Sequence, residues 1–304
     1  MGSNLLKFND FASLFEGGAA IKESRRIKES EVPKTLESIN KILLPLLGGG
    51  EIDKEYLIIG SIGKKKNPSD TSGDIDLGVE KKSLSKNLGV SEDGVLDTLG
   101  NVLLDGLPDK LGFVPDVKVM KGINVVSVGW PIEGDPANGI VQLDLIPISD
   151  MNWAKFIFYS PDYRKGESKY KSAHRNWLFQ AILSALKEVI SQDEDGELED
   201  FYSYALRLSD GIFKNRKSFK GATKRLSKPK TIKGESTLVT RDPDEFVEMM
   251  FGSGVKKEDL KSFEDAWEIV SSPTFIHADK KDEIRDDLER YLVNGGFEIP
   301  TEIK

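Results

Sequence analysis

An α/β domain, a mixed sheet with flanking helices, followed by an all-helical domain is the fold class that this 304-residue sequence predicts. Three observations predict it. Short β-type runs alternate with helical periods between about residues 34 and 150, and long helical patterns follow Pro147. The chain is 38% hydrophobic, enough apolar material for one large or two ordinary domains. The expected division is an amino-terminal arm over 1–33, the α/β domain over 34–150 and the helical domain over 151–304.

In chain order, the first thirty residues pass from Phe8 through Gly17-Gly18 to the charged stretch Lys22 to Glu31 without a sustained period, which predicts an extended lead-in. Pro33 opens a helix over Thr35 to Leu47, where Leu36, Ile39, Ile42, Leu43 and Leu46 fall at helical spacing and three glycines, 48 to 50, stop it. Glu55 to Ile59 reads as a strand ending at Gly60-Ser61, and Asp74 to Val79 as a second strand after a Gly/Ser/Lys-rich loop. Ser91 to Leu104 carries Val95, Leu96, Leu99, Val102 and Leu103 on one stripe, so the next element is a helix. From Asp116 the runs DVKVM, INVVSVGW and IVQLDLIPI predict three strands in meander order. Beyond Pro147 the periods at Ala173 to Ile190, Leu198 to Phe213, Pro243 to Phe251, Lys257 to Val270 and Lys280 to Val293 all read as helices. No stretch of 20 to 50 residues repeats itself, which argues against a solenoid.

Composition excludes several chemistries. The absence of cysteine removes disulfides, thiolate nucleophiles and Cys-ligated zinc or iron–sulfur sites, and two histidines leave little for a His-rich metal site. Any metal is therefore expected on carboxylates. No apolar run approaches the roughly 20 residues of a membrane span, and the start lacks the basic and apolar pattern of a secretion signal, so a soluble cytoplasmic protein with no membrane partner is expected. A net charge of −8 argues against a protein that coats nucleic acid over its whole surface, which leaves local basic patches to be weighed.

The most informative stretch is Ile58-Ile59-Gly60-Ser61, then a loop, then Asp74-Ile75-Asp76-Leu77, with Gln142-Leu143-Asp144-Leu145 further on. Residues i and i+2 of a strand share a face, so Asp74 and Asp76 present paired carboxylates while Ile75 and Leu77 face the core. Paired carboxylates repel unless a cation lies between them. Asp144 has the same apolar flanks, and a neighbouring strand would bring three oxygens to one point suited to hard divalent ions. Gly60 allows close backbone approach and Ser61 adds a hydroxyl and free amides, a combination suited to triphosphate oxygens.

Together these pieces resemble the nucleotidyltransferase superfamily of DNA polymerase beta, poly(A) polymerases, CCA-adding enzymes and bacterial antibiotic- or toxin-type nucleotidyltransferases. The resemblance covers about Leu36 to Ile148. It implies a phosphate grip at Gly60 and Ser61, two Mg²⁺ (or Mn²⁺) ions on Asp74 and Asp76, and Asp144 on the ion that activates the acceptor hydroxyl, with an NTP as substrate.

Other charged groups carry two readings each. Lys64-Lys65-Lys66 sits in the loop between grip and acids, where it either meets phosphates or is a surface run. Lys171, His174 and Arg175 share a helical face, and the resemblance implies a basic surface of this kind for the incoming triphosphate; His174 equally fits a helix-capping role. Between Lys214 and Lys233 lie Lys214, Arg216, Lys217, Lys220, Lys224, Arg225, Lys228, Lys230 and Lys233 with no acid among them. Such a segment either tracks an RNA backbone or is a solvated loop.

The expectation that follows is a metal-dependent transfer of NMP from NTP to an acceptor hydroxyl, with an RNA end, for instance of tRNA, as acceptor and the site in the cleft between the two domains. Two alternatives stay open: a toxin- or antibiotic-modifying enzyme acting on a protein or small molecule, and a non-catalytic nucleic-acid-binding protein.

Overall fold

Proline lacks the N–H that goes unpaired in a helix's first turn and has φ already set for it, so the first helix, α1 (Val32–Leu46), begins around Pro33. Its stripe buries Ile39 and Leu43. The computed structural model describes residues 20–47, 58–62, 67–161, 166–192, 198–219 and 230–303. The chain divides into two compact units, Met1–Lys169 and Tyr170–Lys304, each described by itself.

In the first unit, the residues expected as an arm take part in structure: β1 (Ile27–Lys28) pairs antiparallel with β2 (Thr71–Ser72), and Ile21 and Ile27 are buried. The main sheet follows, with β3 (Asp74–Glu80), β4 (Val117–Met120), β5 (Val125–Pro131) and β6 (Ile140–Ile148) in the order β3-β6-β5-β4. β6 runs parallel to β3 and antiparallel to β5, and β4 to β5 antiparallel, so the sheet is mixed and the last three strands form the expected meander. All of β6 from Val141 to Ile148 is buried, as its near-continuous apolar run requires of a central strand covered on both faces.

Helices α2 (Lys81–Leu88) and α3 (Val95–Leu111) lie between β3 and β4. On α3, Leu99, Leu103 and Leu107 repeat every four residues and are wholly inaccessible; burial of such a side chain is worth about 1.5–3 kcal/mol. These leucines share one core with Ile39 and Leu43 of α1, Ile75 and Leu77 of β3 and Leu143 and Leu145 of β6. The apolar residues flanking each acid thus anchor the strands that carry them. α4 (Met151–Ile157) is capped by Asp150, whose carboxylate accepts the Trp153 N–H at 2.9 Å.

The second unit overturns the all-helical expectation. After α5 (Ser172–Ala185) come four strands, β7 (Lys187–Gln192), β8 (Leu198–Arg207), β9 (Gly211–Ser218) and β10 (Lys230–Thr240), in an antiparallel sheet ordered β10-β9-β8-β7. Helices α6 (Pro243–Phe251), α7 (Phe263–Ser271) and α8 (Lys281–Asn294) follow. The error has a physical source. Phe201, Ala205, Leu208 and Ile212 fall at helical spacing, and three of them are buried, yet a hairpin buries them instead. Leu208-Ser209-Asp210 turn that hairpin, and Gly211 opens β9 at φ 110°, a conformation that β-carbon-bearing residues rarely adopt. Among the described residues no helix is long and apolar enough to cross a membrane.

Candidate metal centre

Register sets the site. β3 and β6 are parallel neighbours with Asp76 opposite Asp144 and Asp74 opposite Gln142, so the three aspartates and Gln142 leave one face of the sheet together. One carboxylate oxygen from each of Asp74, Asp76 and Asp144 lies within 4.8 Å of the others. Asp144 is 2% exposed and Asp74 9%, while Asp76 is half-buried. Two unit charges at 4.8 Å repel by roughly 3.5 kcal/mol at an effective dielectric of 20, and water is largely excluded from Asp144.

The Asp144 carboxyl responds accordingly. Burial first, and the negative charge of Asp74 second, push its pKa up to about 7, against the opposing hydrogen bonds from Ser127 and Gln142. Ser127, opposite Asp144 on β5, donates its hydroxyl to Oδ1 at 2.5 Å, and the Gln142 amide donates to Oδ1 at 3.1 Å and Oδ2 at 2.9 Å. Neither residue was singled out from the sequence. The signals for both are present there: Gln142 stands two residues before Asp144 on the same strand face, and Ser127 is the one polar residue inside Val-Val-Ser-Val.

Gly60 completes the geometry. Ile58 bridges Leu77 antiparallel and the Ile59 N–H donates to the Asp76 carbonyl at 3.2 Å, which draws residues 58–60 alongside β3. A β-carbon on Gly60 would fall inside van der Waals contact with Asp76 Oδ2 and 2.9 Å from its Cγ, so any larger residue there would displace that carboxylate. Ser61 follows, its hydroxyl 3.5 Å from that of buried Ser72.

The donor set suits a hard divalent cation. Three carboxylates offer anionic oxygens with no nitrogen or sulfur ligand, the set that Mg²⁺ and Mn²⁺ prefer. A cation also supplies the neutralisation that Asp144 otherwise obtains by holding a proton to about pH 7.

Gly60, Ser61, Asp74, Asp76 and Asp144 are therefore brought together in the first unit. Lys171, His174 and Arg175 belong to the second, where exposed Lys171 precedes α5 and the other two are buried. The His174 ring lies 5.1 Å from Tyr170 and 5.2 Å from Phe297, and burial lowers its pKa. Arg175 donates to the Leu260 carbonyl at 3.0 Å. The helical spacing is real, but His174 and Arg175 face the interior of their own unit rather than an exposed surface.

In the basic segment, Lys214, Arg216 and Lys217 lie on β9 and Lys230 on β10, so its two ends form paired strands rather than an irregular loop. Lys214 pairs with Glu188 at 2.5 Å and sits 4.4 Å from the Tyr202 ring centre. Arg216 pairs with buried Asp200 at 3.0 Å and with Glu235 at 3.2 Å. Burial lowers the Lys217 pKa. Lys64, Lys65, Lys66, Lys220, Lys224, Arg225 and Lys228 lie outside the described residues.

Comparison with protein-family models, with curated proteins and with solved structures finds no match to this chain.

Proposed function

We propose that the protein is a divalent-metal-dependent nucleotidyltransferase that moves a nucleoside monophosphate from an NTP to an acceptor hydroxyl. The convergence of three carboxylates from two strands within 4.8 Å, with Gly60 bare against one of them, carries this reading. Asp74, Asp76 and Asp144 would hold Mg²⁺ or Mn²⁺, which when bound offsets the clustered negative charge and the charge developing on phosphoryl oxygens. Gly60 lets triphosphate oxygens approach the backbone, and Ser61 donates a hydroxyl to them. The acceptor oxygen bonds to the α-phosphorus as the bond from phosphorus to the bridging oxygen breaks, and pyrophosphate departs. The acceptor hydroxyl gives up its proton as it attacks, helped by Asp144 and the ion that Asp144 would hold. Lys171, exposed just ahead of α5, with His174 and Arg175 on the same helical face, is the proposed basic contact for the triphosphate.

An RNA end is the first acceptor proposed, with phosphate contacts assigned to Lys220, Lys224, Arg225 and Lys228. A protein or small-molecule hydroxyl is the second, favoured by the commitment of Lys214 and Arg216 to acidic partners. The test is to incubate the protein with each labelled NTP, Mg²⁺ or Mn²⁺ and total RNA, beside a variant carrying Asp74→Ala and Asp76→Ala. Label on RNA that requires the two acids supports the first acceptor, and label on the protein itself supports the second. No transfer with any NTP, metal or acceptor, including a panel of small hydroxyl compounds, removes the enzymatic reading. Salt-sensitive RNA retention that persists without the acids but fails on neutralising Lys224, Arg225 and Lys228 would then point to a binding protein.

A further inference from the structure

Gln142 makes hydrogen bonds at both ends of its amide. Its oxygen accepts the backbone N–H of Ala20 at 2.8 Å and of Ile21 at 3.1 Å, while its nitrogen donates to both oxygens of Asp144. Two backbone donors on the oxygen settle which end is which. Turned over, the amide would set its NH₂ against two N–H groups and its oxygen against a carboxylate, making every contact repulsive.

The segment that supplies those donors is itself tied to β4, to β6 and to β2, which leads into β3. Lys118 donates to the Ala20 carbonyl, and the Arg25 N–H donates to the Ile140 carbonyl of β6 at 2.7 Å. Ile27 and Lys28 pair with Ser72 and Thr71, just before Asp74. Residues 20–28 thus form a strap across the strand starts, and Gln142 connects it to the carboxylate.

We infer that Gln142 is a positioning residue of the metal centre: locked by the strap at Ala20 and Ile21, it fixes the plane of the Asp144 carboxylate so that a single lone pair remains for a cation. Counting acceptor sites gives the result. Oδ1 takes both Ser127 and Gln142 and is filled, while Oδ2 takes Gln142 alone and keeps one lone pair. Asp144 is presented as a one-oxygen ligand, and rotation about its χ2 is resisted by both partners. A hydrogen-bonding group behind a ligand typically contributes 10- to 100-fold to metal affinity. The inference rests on the reading that the three aspartates hold a cation.

The test measures MnCl₂ binding to the full chain by calorimetry, with no nucleotide present. Gln142→Met keeps length and approximate volume but removes both hydrogen-bonding ends, and should weaken Mn²⁺ binding by about 10- to 100-fold. Ala20→Pro leaves Gln142 in place and deletes only the shorter of its two backbone donors, and should weaken binding several-fold. The stoichiometry of the same isotherm reports the folded fraction: both variants should keep the stoichiometry of the unaltered chain and lose only affinity, whereas general loss of folded protein lowers the stoichiometry and leaves the affinity of what remains unchanged. Either variant binding Mn²⁺ within twofold of the unaltered chain overturns the inference. An unaltered chain that binds no Mn²⁺ instead removes the metal-centre reading beneath it, so the two failures are distinguishable.

Discussion

Asp144→Asn provides a direct test of the clustered charge. In the metal-free folded state the Asp144 carboxyl holds its proton to about pH 7, whereas in the unfolded chain it loses it near the ordinary aspartate value of 3.8. Between those values the folded state binds more protons than the unfolded one, so stability falls as pH rises and the loss is complete above about pH 7. The gap between the two values corresponds to about 4 kcal/mol, of which about 3 kcal/mol falls between pH 5 and pH 8. For a unit of this size that is a drop of roughly 5–10 °C in Tm. Asp144→Asn carries no titrating group there, so it should lack this component of the pH dependence, although Asn sets one donor against the Gln142 amide and costs some stability at every pH. The assay is urea unfolding in EDTA at pH 5 and pH 8, followed by the fluorescence of Trp130 and Trp153, both wholly buried in the first unit. Mg²⁺ should restore the unaltered chain at pH 8 more than at pH 5, because a protonated acid must release its proton to bind a cation. If the stability difference between the unaltered chain and Asp144→Asn is the same at both pH values, the crowding of charge around Asp144 is not what the geometry implies.

Three further outcomes are expected. Gly60→Ala drives a methyl group into the Asp76 carboxylate; overpacking of this kind costs about 1–3 kcal/mol, and it should weaken Mn²⁺ binding about tenfold or more in calorimetry. His174 shows the opposite pH sign to Asp144: its folded pKa is lowered by burial, so the second unit loses stability as pH falls below the unfolded value near 6.5. Replacement by Gln should flatten that acid limb in a comparison of Tm at pH 7 and pH 5, and an unchanged slope would contradict it. Arg216→Ala removes an ion pair to Asp200, which is 3% exposed, whereas the Glu188 partner of Lys214 is half exposed, so Arg216→Ala should lower the Tm of the second unit more than Lys214→Ala does while leaving any RNA retention intact.

How much was legible follows from where the information sits. The acids, Gly60 and Ser61 were readable because a period of two and apolar flanks are local signals, and β3, β5, β6, α1 and α3 lie where those signals place them. Gln142 was hidden in plain view, since strand spacing puts it beside Asp144 but only the strap gives its amide an orientation. That strap could not be read from residues 20–28, whose pairing with β2 and β6 is set by distant strands rather than by their own pattern. The second sheet was missed because Phe201, Leu208 and Ile212 satisfy a helical period while Tyr202, Tyr204 and Asp210-Gly211 argue for a hairpin, and the turn outweighs the stripe. His174 and Arg175 illustrate a different limit: spacing tells which residues share a helix face but not whether that face meets solvent.

The strand order β3-β6-β5-β4 has a consequence for how the protein is made. A ribosome releases β3, β4 and β5 before β6, yet β6 occupies the gap between β3 and β5. Until it arrives, the emerging chain has the two carboxylates of β3 and the serine of β5 with nothing to join them. Insertion of the last-made strand closes the sheet and delivers Asp144 and Gln142 in the same event, so a nascent chain assembles its three-carboxylate cluster only when that strand seals the sheet.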